Sequence, residues 1–373
     1  MDAKRIVRNA TGLGSYGRTL ARSLSAVEGL RLRLYAPDAG RDDLRSQVTE
    51  GDSLCFCYPE GWQLLGKSYW RTRGMVSQLR RDGVHVYHGL SGELPMGLQK
   101  AGIRSVVTIH DLIFMRHPEW YNATDVKIYT RKFRHALQEA DSIVAISECT
   151  RRDICELGEI DPHRVELIYQ SCAPRFTNNQ TLPKGGGVWY VRDHYDLPDR
   201  YILSVGSIEE RKNALLAVKA LHTLPDDLSL VLVGRATGYA DRVWQYALEN
   251  GLGGRVTMLH TVPDDHLPAI YHMAEAFVYP SRYEGFGIPI IEAISMGLPV
   301  VACTGSCLEE AGGPHSLYVN PDDERAMADA ISRVLYGAKG REQRIEQSRQ
   351  YIRRFENTGA AQRFATLYRR VKG

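Results

Sequence analysis

The chain has 373 residues, of which 43% are hydrophobic and 24% are charged, and this composition is typical of a globular protein with two or three domains' worth of core. It excludes the disordered and fibrous classes. The formal net charge of +3 is too small to favour a nucleic-acid-binding protein, which typically carries a dense basic face.

Neither a membrane span nor a targeting segment is visible in the sequence. No run approaches the roughly 18 consecutive apolar residues of a transmembrane helix, and the opening MDAKRIVRNA lacks the apolar core of a signal peptide. The seven cysteines lack the C-x-x-C pairs of zinc sites, and the histidines are irregularly spaced. We therefore expect a cytoplasmic protein with reduced thiols and no bound metal.

The first predicted element surrounds GLGSYG at residues 12–17, which has the Gly-x-Gly-x-x-Gly spacing of dinucleotide-binding loops. Ile6 and Val7 predict a strand before it, and LARSL predicts a helix after it. Asp38 ends a second apolar run, where such proteins place a ribose-binding carboxylate. A lone fingerprint is weak evidence, so a dehydrogenase is one interpretation to be weighed against the rest of the chain.

Short apolar runs rich in β-branched residues recur along the chain with helical patterns between them. Their apolar character is continuous rather than alternating, which is typical of parallel strands that helices cover on both faces. We predict strands within residues 31–36, 84–89, 105–111, 142–147, 165–169, 201–206, 228–234, 256–260, 276–280 and 299–303. The fold class is therefore α/β, with two doubly wound parallel sheets and a ligand cleft at the carboxyl ends of their strands.

A stretch rich in Asn, Gly, Pro and charge, residues 177–200, separates the two series of strands and is typical of a linker. We place the domain boundary near residue 178, so that the N-terminal domain covers residues 1–178 and the C-terminal domain covers residues 179–352. The remaining residues, 353–373, carry apolar side chains at helical spacing and predict a helix with an apolar stripe.

The segment KSYWRTRGMVSQLRR, residues 67–81, contains lysine and arginine, no acid, and interspersed apolar residues. Peripheral contact with an anionic membrane that carries a lipid-linked saccharide is one interpretation. An ordinary helix with a buried apolar stripe and solvated arginines is the other.

Two strands of the first half end in residues that can take part in chemistry. SVVTIHDLIF brings His110 and Asp111 to one strand end, and VYHGLSGELP brings His88 and Glu93 to another. His110 can contact a sugar hydroxyl or the reacting centre. A structural histidine bonded to the backbone is the alternative, and the sequence does not decide between them.

In the second half, YILSVGSIEERKNALLAVKAL runs from a strand through Gly206 and Ser207 to Arg211 and Lys212, and then into a helix near Asn213. Two cations and a helix N-terminus beside a strand end can neutralise a diphosphate without a metal ion. This segment therefore predicts a diphosphate site.

The most informative stretch is YPSRYEGFGIPIIEAISMGLPVVAC, residues 279–303. Glu284 lies in a Gly-rich loop, and we place Glu292 in the first turn of the following helix, with Pro289 at its first position. Carboxylates suit the hydroxyls of a ribose or a hexose because each accepts two hydrogen bonds. The amides at the helix start can bind a sugar phosphate, and they belong to Gly285, Phe286, Gly287 and Ile288.

Together, YEGFGIPIIEAISMGLPVV, SVGSIEERKN, TIHDLIFMRHPEWY and GLGSYGRTL resemble the motifs of the retaining glycosyltransferases of family four, and they keep the order of that family. The resemblance implies the GT-B fold, in which two Rossmann-like domains face a central cleft that holds a nucleotide sugar. It also implies that residues 353–373 cross back to complete the N-terminal domain, which binds the acceptor, whereas the C-terminal domain binds the donor.

The resemblance implies a role for each matching residue of the C-terminal domain. Glu292 would bind the donor ribose and Glu284 the transferred sugar. Arg211 and Lys212 would hold the diphosphate, together with the amides of residues 285–288 and the loop of Gly206 and Ser207. Because Ser207 stands where many members carry an arginine, diphosphate binding would depend more heavily on Arg211 and Lys212.

In the N-terminal domain, His110 matches a histidine near the reacting carbon, and Gly12 and Gly14 match a loop whose backbone approaches the diphosphate. The catalytic residues implied by the resemblance are accordingly His110, Glu284, Arg211 and Lys212, with no metal and no cofactor beyond the donor substrate.

The activity that follows is transfer of a hexosyl unit, with retention at the anomeric carbon, from a nucleoside diphosphate sugar to a hydroxyl of a saccharide or lipid-linked saccharide. The stretch HDLIFMRHPEWY resembles mannosyltransferases that use GDP-mannose. A GT-B nucleotide-sugar epimerase and a non-catalytic sugar-nucleotide-binding protein are the alternatives. A dehydrogenase is disfavoured, because it leaves the second series of strands and the two glutamates unexplained.

Overall fold

The structure is a computed structural model that describes residues 1–60, 66–177, 187–355 and 359–373. The chain divides into two compact units, one formed by Met1–Gln170 with Asn357–Gly373 and the other by Ser171–Glu356. The first unit therefore ends somewhat before residue 178, where the sequence places the boundary. Part of the predicted linker, residues 178–186, lies outside the described residues, and a helix follows at residue 187.

The described residues of the first unit form six parallel strands, of which all but the second follow the predicted apolar runs. They are β1 (Leu32–Tyr35), β2 (Leu54–Cys57), β3 (Val86–Gly89), β4 (Arg104–Ile109), β5 (Ser142–Ala145) and β6 (Val165–Leu167). Strands β1 and β2 pair with each other, and the remaining four form a sheet in the order β3-β4-β5-β6. Strand β2, with its two cysteines, is the one that the sequence analysis missed.

Residues 1–3 connect the two sheets of the first unit. The Asp2 amide donates to the His88 carbonyl of β3 at 2.9 Å, and the Ala3 amide donates to the Tyr35 carbonyl of β1 at 2.8 Å. The segment thus occupies the place of a central strand, although it is too short to extend the ladder.

Eight helices of the described residues surround these strands. They are α1 (Lys4–Arg8), α2 (Gly12–Ser25), α3 (Asp42–Arg45), α4 (Lys67–Tyr69), α5 (Met75–Arg81), α6 (Ile113–Arg116), α7 (Ala123–Glu139) and α8 (Glu148–Gly158). A π-helical turn, Trp70–Gly74, joins α4 to α5. Caps fix two of the helix starts, because the side chains of Asn122 and Ser147 accept hydrogen bonds from the amides of the first turns of α7 and α8.

The strand predicted at Ile6 and Val7 is wrong, because these residues lie in helix α1. Both side chains are fully buried. Two adjacent apolar residues are compatible with a buried helix as well as with a strand, so the pair alone does not distinguish them. The guanidinium of Arg18 is also buried and donates to the carbonyls of Ile6 and Asn9, each at 2.9 Å. These bonds satisfy carbonyls at the end of α1 and hold the short helix against α2.

The described part of the second unit forms one sheet of six parallel strands. They are β7 (Tyr201–Val205), β8 (Ser229–Val233), β9 (Val256–Leu259), β10 (Ala276–Tyr279), β11 (Val300–Cys303) and β12 (Leu317–Val319). The order is β12-β11-β10-β7-β8-β9, which reverses direction between β7 and β10 and is the doubly wound order of a Rossmann fold. The short strand β12, which is partly exposed, was not predicted.

Nine helices of the described residues cover this sheet. They are α9 (Pro174–Thr177), α10 (Gly187–His194), α11 (Ala214–Ala220), α12 (Gly238–Glu249), α13 (Leu267–Met273), α14 (Ile288–Ser295), α15 (Leu308–Gly312), α16 (Glu324–Ser332) and α17 (Arg341–Ile352). Strand residues of β7 and β8 such as Ile202 and Leu230 are fully buried among α11, α12 and α16.

The last helix, α18 (Ala360–Lys372), packs on the first unit. Phe364, Leu367 and Tyr368 are buried there with Val106 of β4 and Val144 of β5. Among the described residues, no helix combines the length and apolar character that crossing a membrane requires.

Candidate active site

The strand order of the second unit reverses between β7 and β10, and the loops that leave these two strands diverge to open a crevice. A small cavity lies there. Gly206 and Ser207 line it directly after β7, together with Lys212 from the same loop and Tyr279 at the end of β10. The diphosphate site predicted from the sequence therefore coincides with the place where doubly wound sheets bind ligands.

Glu284, in the loop after β10, is the centre of a group of charged and polar side chains at this crevice. Its Oε1 accepts hydrogen bonds from Lys212 Nζ and from Ser281 Oγ, each at 2.5 Å. The Tyr279 hydroxyl donates to the same oxygen at 3.3 Å, and Arg211 Nη1 lies 3.0 Å from it. The structure thus brings together three of the predicted residues and adds Tyr279 and Ser281.

Two further contacts hold the Arg211 guanidinium besides the one with Glu284. Its Nη1 donates to the Tyr283 carbonyl at 2.6 Å, and its Nη2 donates to Glu209 at 2.7 Å. The Lys212 ammonium also lies 5.0 Å from the centre of the Tyr279 ring, over its face. Only 15% of the Arg211 side chain and 16% of the Lys212 side chain are exposed, so both cations have fixed positions at the crevice.

Burial alone would raise the pKa of Glu284, but the neighbouring charges of Lys212 and Arg211 outweigh it and lower the pKa to about 2. The side chain is 11% exposed. Glu284 is therefore a carboxylate at neutral pH, paired with two cations.

Two glycines after β7 and β8 allow the loops to leave the sheet side by side. Gly234 has φ +155°, and a Cβ atom there would lie 1.9 Å from the Gly206 carbonyl oxygen. Gly206 itself has φ +153° and faces the Lys212 side chain. Gly234 was not singled out in the sequence, although it ends the predicted strand LSLVLVG as Gly206 ends YILSVG.

Helix α14 begins at Ile288, with Gly287 as its N-cap at φ +105°. A Cβ atom on Gly287 would come within 3.2 Å of Ala311 and 3.3 Å of Leu308, so both the backbone conformation and the packing require glycine. Pro289 is the second residue of α14, not the first as predicted. Phe286 is buried and its ring contacts Phe355 at 5.3 Å, edge to face, so only its backbone can serve a ligand.

Glu292 lies in the second turn of α14, not in the first turn as predicted, because the helix begins only at Ile288. Its carboxyl accepts a hydrogen bond from the Tyr271 hydroxyl at 3.0 Å. Burial raises the pKa of Glu292 to about 7, against the opposing effect of Arg175. Arg175 itself pairs with Asp264 at 3.0 Å. Glu292 is therefore poised to change its charge near neutral pH.

In the first unit, Gly12 opens helix α2 and Gly14 lies in its first turn. A Cβ atom on Gly12 would meet nothing within 4 Å, whereas one on Gly14 would lie 1.8 Å from the Asn9 carbonyl oxygen. One on Gly17 would lie 2.8 Å from Ile6. The glycine spacing of the fingerprint thus serves the close packing of α1 on α2, and Gly12 alone has the open surroundings that a ligand needs.

His110 follows β4, and both of its ring nitrogens are hydrogen-bonded. Nε2 lies 2.7 Å from the Leu90 carbonyl, which can only accept, so Nε2 carries the proton. Nδ1 accepts from the Gln170 amide at 2.8 Å. Burial lowers the pKa of His110 to about 4, so the ring is neutral, and its bond to the backbone agrees with the structural interpretation.

The other polar residues predicted at strand ends of the first unit have structural partners. Glu93 pairs with Arg71 and with Lys132, each at 2.9 Å. His88 is buried and bonded through both nitrogens. Asp38, the residue that a dehydrogenase would use for ribose, pairs with Arg8 and Lys67 on the surface.

The basic segment 67–81 buries most of its apolar side chains. Trp70, Met75 and Leu79 are almost completely inaccessible, whereas Tyr69 is 54% exposed. Its helices thus have the buried stripe that the ordinary-helix interpretation predicts. Among the described residues, no group of three or more His, Cys, Asp or Glu side chains is arranged to hold a metal ion.

Two family models match the chain, one in each half. The model of Glycosyltransferase Family 4 matches residues 10–171, and that of Glycosyl transferases group 1 matches residues 194–351. O-antigen chain mannosyltransferase B of Escherichia coli is 28% identical over 349 residues, which cover 89% of each protein.

Solved structures show the same fold. Sucrose-phosphate synthase from Thermosynechococcus elongatus superposes with a TM-score of 0.80 at 21% identity, over 99% of this chain and 98% of that one. HepE from Anabaena, solved with UDP and glucose, superposes with a TM-score of 0.75 at 15% identity, over 97% and 98%.

The two Rossmann-like units and the family matches define a GT-B enzyme, a glycosyltransferase that depends on a nucleotide sugar. Within this class the chain belongs to glycosyltransferase family four. The predicted fold class and family are thereby confirmed, and the dehydrogenase interpretation is abandoned.

Proposed function

We propose that this enzyme transfers a mannosyl unit from GDP-mannose, with retention at the anomeric carbon, to a hydroxyl of a saccharide or lipid-linked saccharide. The observation that carries the proposal is the pairing of Glu284 with Arg211 and Lys212 at the reversal of strand order between β7 and β10. The choice of mannose is supported by the similarity to the O-antigen mannosyltransferase over most of both chains.

The charge of the site fits a diphosphate. Arg211 and Lys212 supply two positive charges at fixed positions, where Glu284 contacts both cations and Glu209 contacts Arg211. The start of α14 follows Glu284 in the same loop. Negative charge grows on the diphosphate as the glycosidic bond breaks, and fixed cations stabilise it without reorganising. We therefore propose that these side chains and the backbone amides neutralise the leaving group without a metal ion.

Glu284 is better suited to holding the donor than to attacking it. A carboxyl whose pKa is lowered to about 2 by Lys212 and Arg211, against the effect of burial, is stabilised as an anion and is a weak nucleophile. We therefore propose substitution on the same face of the sugar through an ion-pair-like transition state. Trapping of a covalent mannosyl group on Glu284 would contradict this mechanism.

The donor is tested first by ligand protection. GDP-mannose, UDP-glucose and dTDP-glucose are compared in a thermal unfolding screen, and we expect the largest rise in melting temperature with GDP-mannose. If none of the three protects the protein, the proposed function is wrong. If UDP-glucose protects best, the choice of donor is wrong while the enzyme class stands.

Catalysis is tested by slow hydrolysis of GDP-mannose, which needs no acceptor. Glu284→Gln should lower the rate by about 100-fold or more, because it weakens the anchor of both cations. Glu249→Gln, on the exposed face of α12, is the matched control and should leave the rate unchanged. Equal rates in the two variants would favour a non-catalytic sugar-nucleotide-binding protein.

We further propose that the enzyme works at the cytoplasmic face of the membrane, through electrostatic contact of segment 67–81. Arg73, Arg80 and Arg81 are exposed, whereas the apolar residues of the segment are mostly buried, so attraction to anionic lipids rather than insertion is expected. Sedimentation with vesicles of one-third phosphatidylglycerol should show binding that high salt abolishes. Binding that is absent at low salt would contradict the proposal.

A further inference from the structure

The C-terminal helix α18 is bonded to the centre of the first unit through one buried histidine. The hydroxyl of Tyr368 lies 2.6 Å from His88 Nδ1. On the other side of the ring, His88 Nε2 lies 2.8 Å from the Thr108 hydroxyl of β4. His88 is 1% exposed, and the ring of Phe364 packs on it at 5.1 Å. Both ring nitrogens are thus used, and neither faces solvent.

The contacts continue from Thr108 to the candidate residues of this unit. The Tyr16 hydroxyl on α2 is buried close to the Thr108 side chain, although it makes no hydrogen bond to Thr108 or to another described residue. The Tyr16 and His110 rings pack edge to face, with their centres 4.9 Å apart and their planes at 84°. Tyr16 belongs to the helix that Gly12 opens. A continuous row of side chains thus leads from α18 to His110 and α2.

The hydrogen bonds on the two sides of the His88 ring are coupled. A neutral imidazole donates from one nitrogen and accepts at the other. Burial keeps the pKa of His88 well below its usual value, so the ring stays neutral. The direction of the bond to Tyr368 therefore fixes the direction of the bond to Thr108. Removing the Tyr368 hydroxyl frees the tautomer and leaves a buried nitrogen without its partner.

We propose that Tyr368 and His88 are positioning residues, through which the C-terminal helix sets the orientation of Tyr16 and hence of His110. Among the residues of this row, the family resemblance places only His110 near the donor. The other residues can therefore affect transfer only indirectly. The proposal rests on the proposed function only where it concerns catalysis. The orientation of the His110 ring can be measured without any substrate.

The first test follows the histidine rings by NMR in protein labelled with ¹⁵N-histidine, with His110 and His88 assigned by their substitution. Tyr368→Phe should shift the His110 ring nitrogens and alter the tautomer of His88. Tyr201→Phe is the matched control, because Tyr201 also buries a hydroxyl, bonded to the Ile270 carbonyl at 2.6 Å, but lies in the other unit. The control should leave both rings unchanged.

The second test is kinetic. We expect Tyr368→Phe to lower kcat for GDP-mannose hydrolysis by about 2- to 30-fold with little change in KM, whereas Tyr201→Phe should leave kcat unchanged at a temperature where both variants are folded. Thr108→Val breaks the row at a different point with nearly the same side-chain shape. It should reproduce the effect of Tyr368→Phe, and it replaces that variant if Tyr368→Phe does not fold.

The two proposals fail in different ways. If the wild-type protein neither binds nor hydrolyses a nucleotide sugar, the proposed function is wrong. The histidine spectra still test whether Tyr368 and His88 position the His110 ring. If the wild type is active but the His110 signals of Tyr368→Phe match the wild type, the positioning role is wrong. The same conclusion holds if Tyr368→Phe and Tyr201→Phe have equal kcat.

Discussion

Glu284 joins two sets of residues that the sequence analysis treated separately. One of its oxygens is contacted by an ammonium, a guanidinium and two hydroxyls. Arg211 and Lys212 are consequently fixed before any donor arrives, and fixed charges are what stabilises a growing anion at low cost. The sequence placed the glutamate beside the sugar and the cations beside the diphosphate. The structure shows that they form one group.

This group predicts a dependence of stability on pH. The pKa of Glu284 is lowered from its usual 4.5 to about 2, so the ionised form stabilises the folded state. That contribution, about 3 kcal/mol, is complete above about pH 4.5 and is lost as the pH falls towards 2. The melting temperature of the wild type should exceed that of Glu284→Gln most at neutral pH, and calorimetry should show the difference shrinking below pH 4.5. A constant difference would contradict the ion pairing.

Glu292 predicts the opposite dependence of stability on pH. Burial raises its pKa to about 7, so the protonated form stabilises the folded state, and this contribution is lost as the pH rises from about 4.5 through 7. Ribose hydroxyls donate hydrogen bonds and prefer the carboxylate. Affinity for GDP-mannose should therefore rise between about pH 6 and pH 8, as measured by calorimetric titration.

The control for this prediction is Glu292→Gln, which cannot ionise and should bind GDP-mannose with the same affinity at both pH values. GDP-mannose is preferable to GDP, because its diphosphate has no terminal phosphate that titrates in this range. A pH profile shared by the wild type and the variant would assign the titration to another group.

At the scale of single elements, the glycine-rich start of the chain shows how one pattern can serve two purposes. The close approach of α1 and α2 requires Gly14 and Gly17, whereas Gly12 faces open space. A dinucleotide fingerprint and a tight helix pair need glycine for the same reason, namely the absence of a Cβ atom where backbones meet. The spacing of the motif was therefore informative about packing and silent about the ligand.

Substitution of the two glycines separates these purposes. Gly14→Ala should lower the free energy of unfolding by about 2–3 kcal/mol, because its Cβ atom would collide with the Asn9 carbonyl. Gly12→Ala should leave stability unchanged or slightly raised, and it should weaken GDP-mannose binding if the amide of residue 12 approaches the diphosphate. Urea denaturation measures the first effect. Equal stability of the two variants would contradict the described packing.

At the scale of the whole molecule, the chain completes its first unit only with its last helix. Phe364, Leu367 and Tyr368 of α18 share a core with strands β4 and β5, and each such side chain contributes about 1.5–3 kcal/mol when buried. A domain has a net stability of only about 5–15 kcal/mol. The first unit is therefore expected to depend on a segment that follows the second unit in the sequence.

Ending the chain after Phe355 tests this dependence. Hydrogen exchange should show loss of protection in β3–β6, whereas β7–β12 should remain protected because the second unit retains its own sheet and core. A control with Arg369→Ala and Lys372→Ala, which changes only exposed residues of α18, should keep protection in both units. Protection of β4 in the shortened chain would show that the first unit folds without α18.

The two series of strands could be predicted from the sequence alone, because continuous apolar runs indicate burial on both faces of a strand. The sequence also indicated that Arg211, Lys212 and Glu284 stand at strand ends, since these positions follow from chain order alone. It missed β2 and β12, whose residues are too few or too exposed to give a clear apolar run.

The partners of these residues could not be predicted from the sequence, because they depend on how the elements pack in the folded chain. The helix at Ile6 and Val7, the two bonds that hold the His110 ring, and the contact of Tyr368 with His88 all depend on segments far apart in the chain. A local pattern of apolar residues indicates how deeply a side chain is buried. Which group it meets there is set by the packing of whole elements, because close-packed interiors leave room for one arrangement of neighbours.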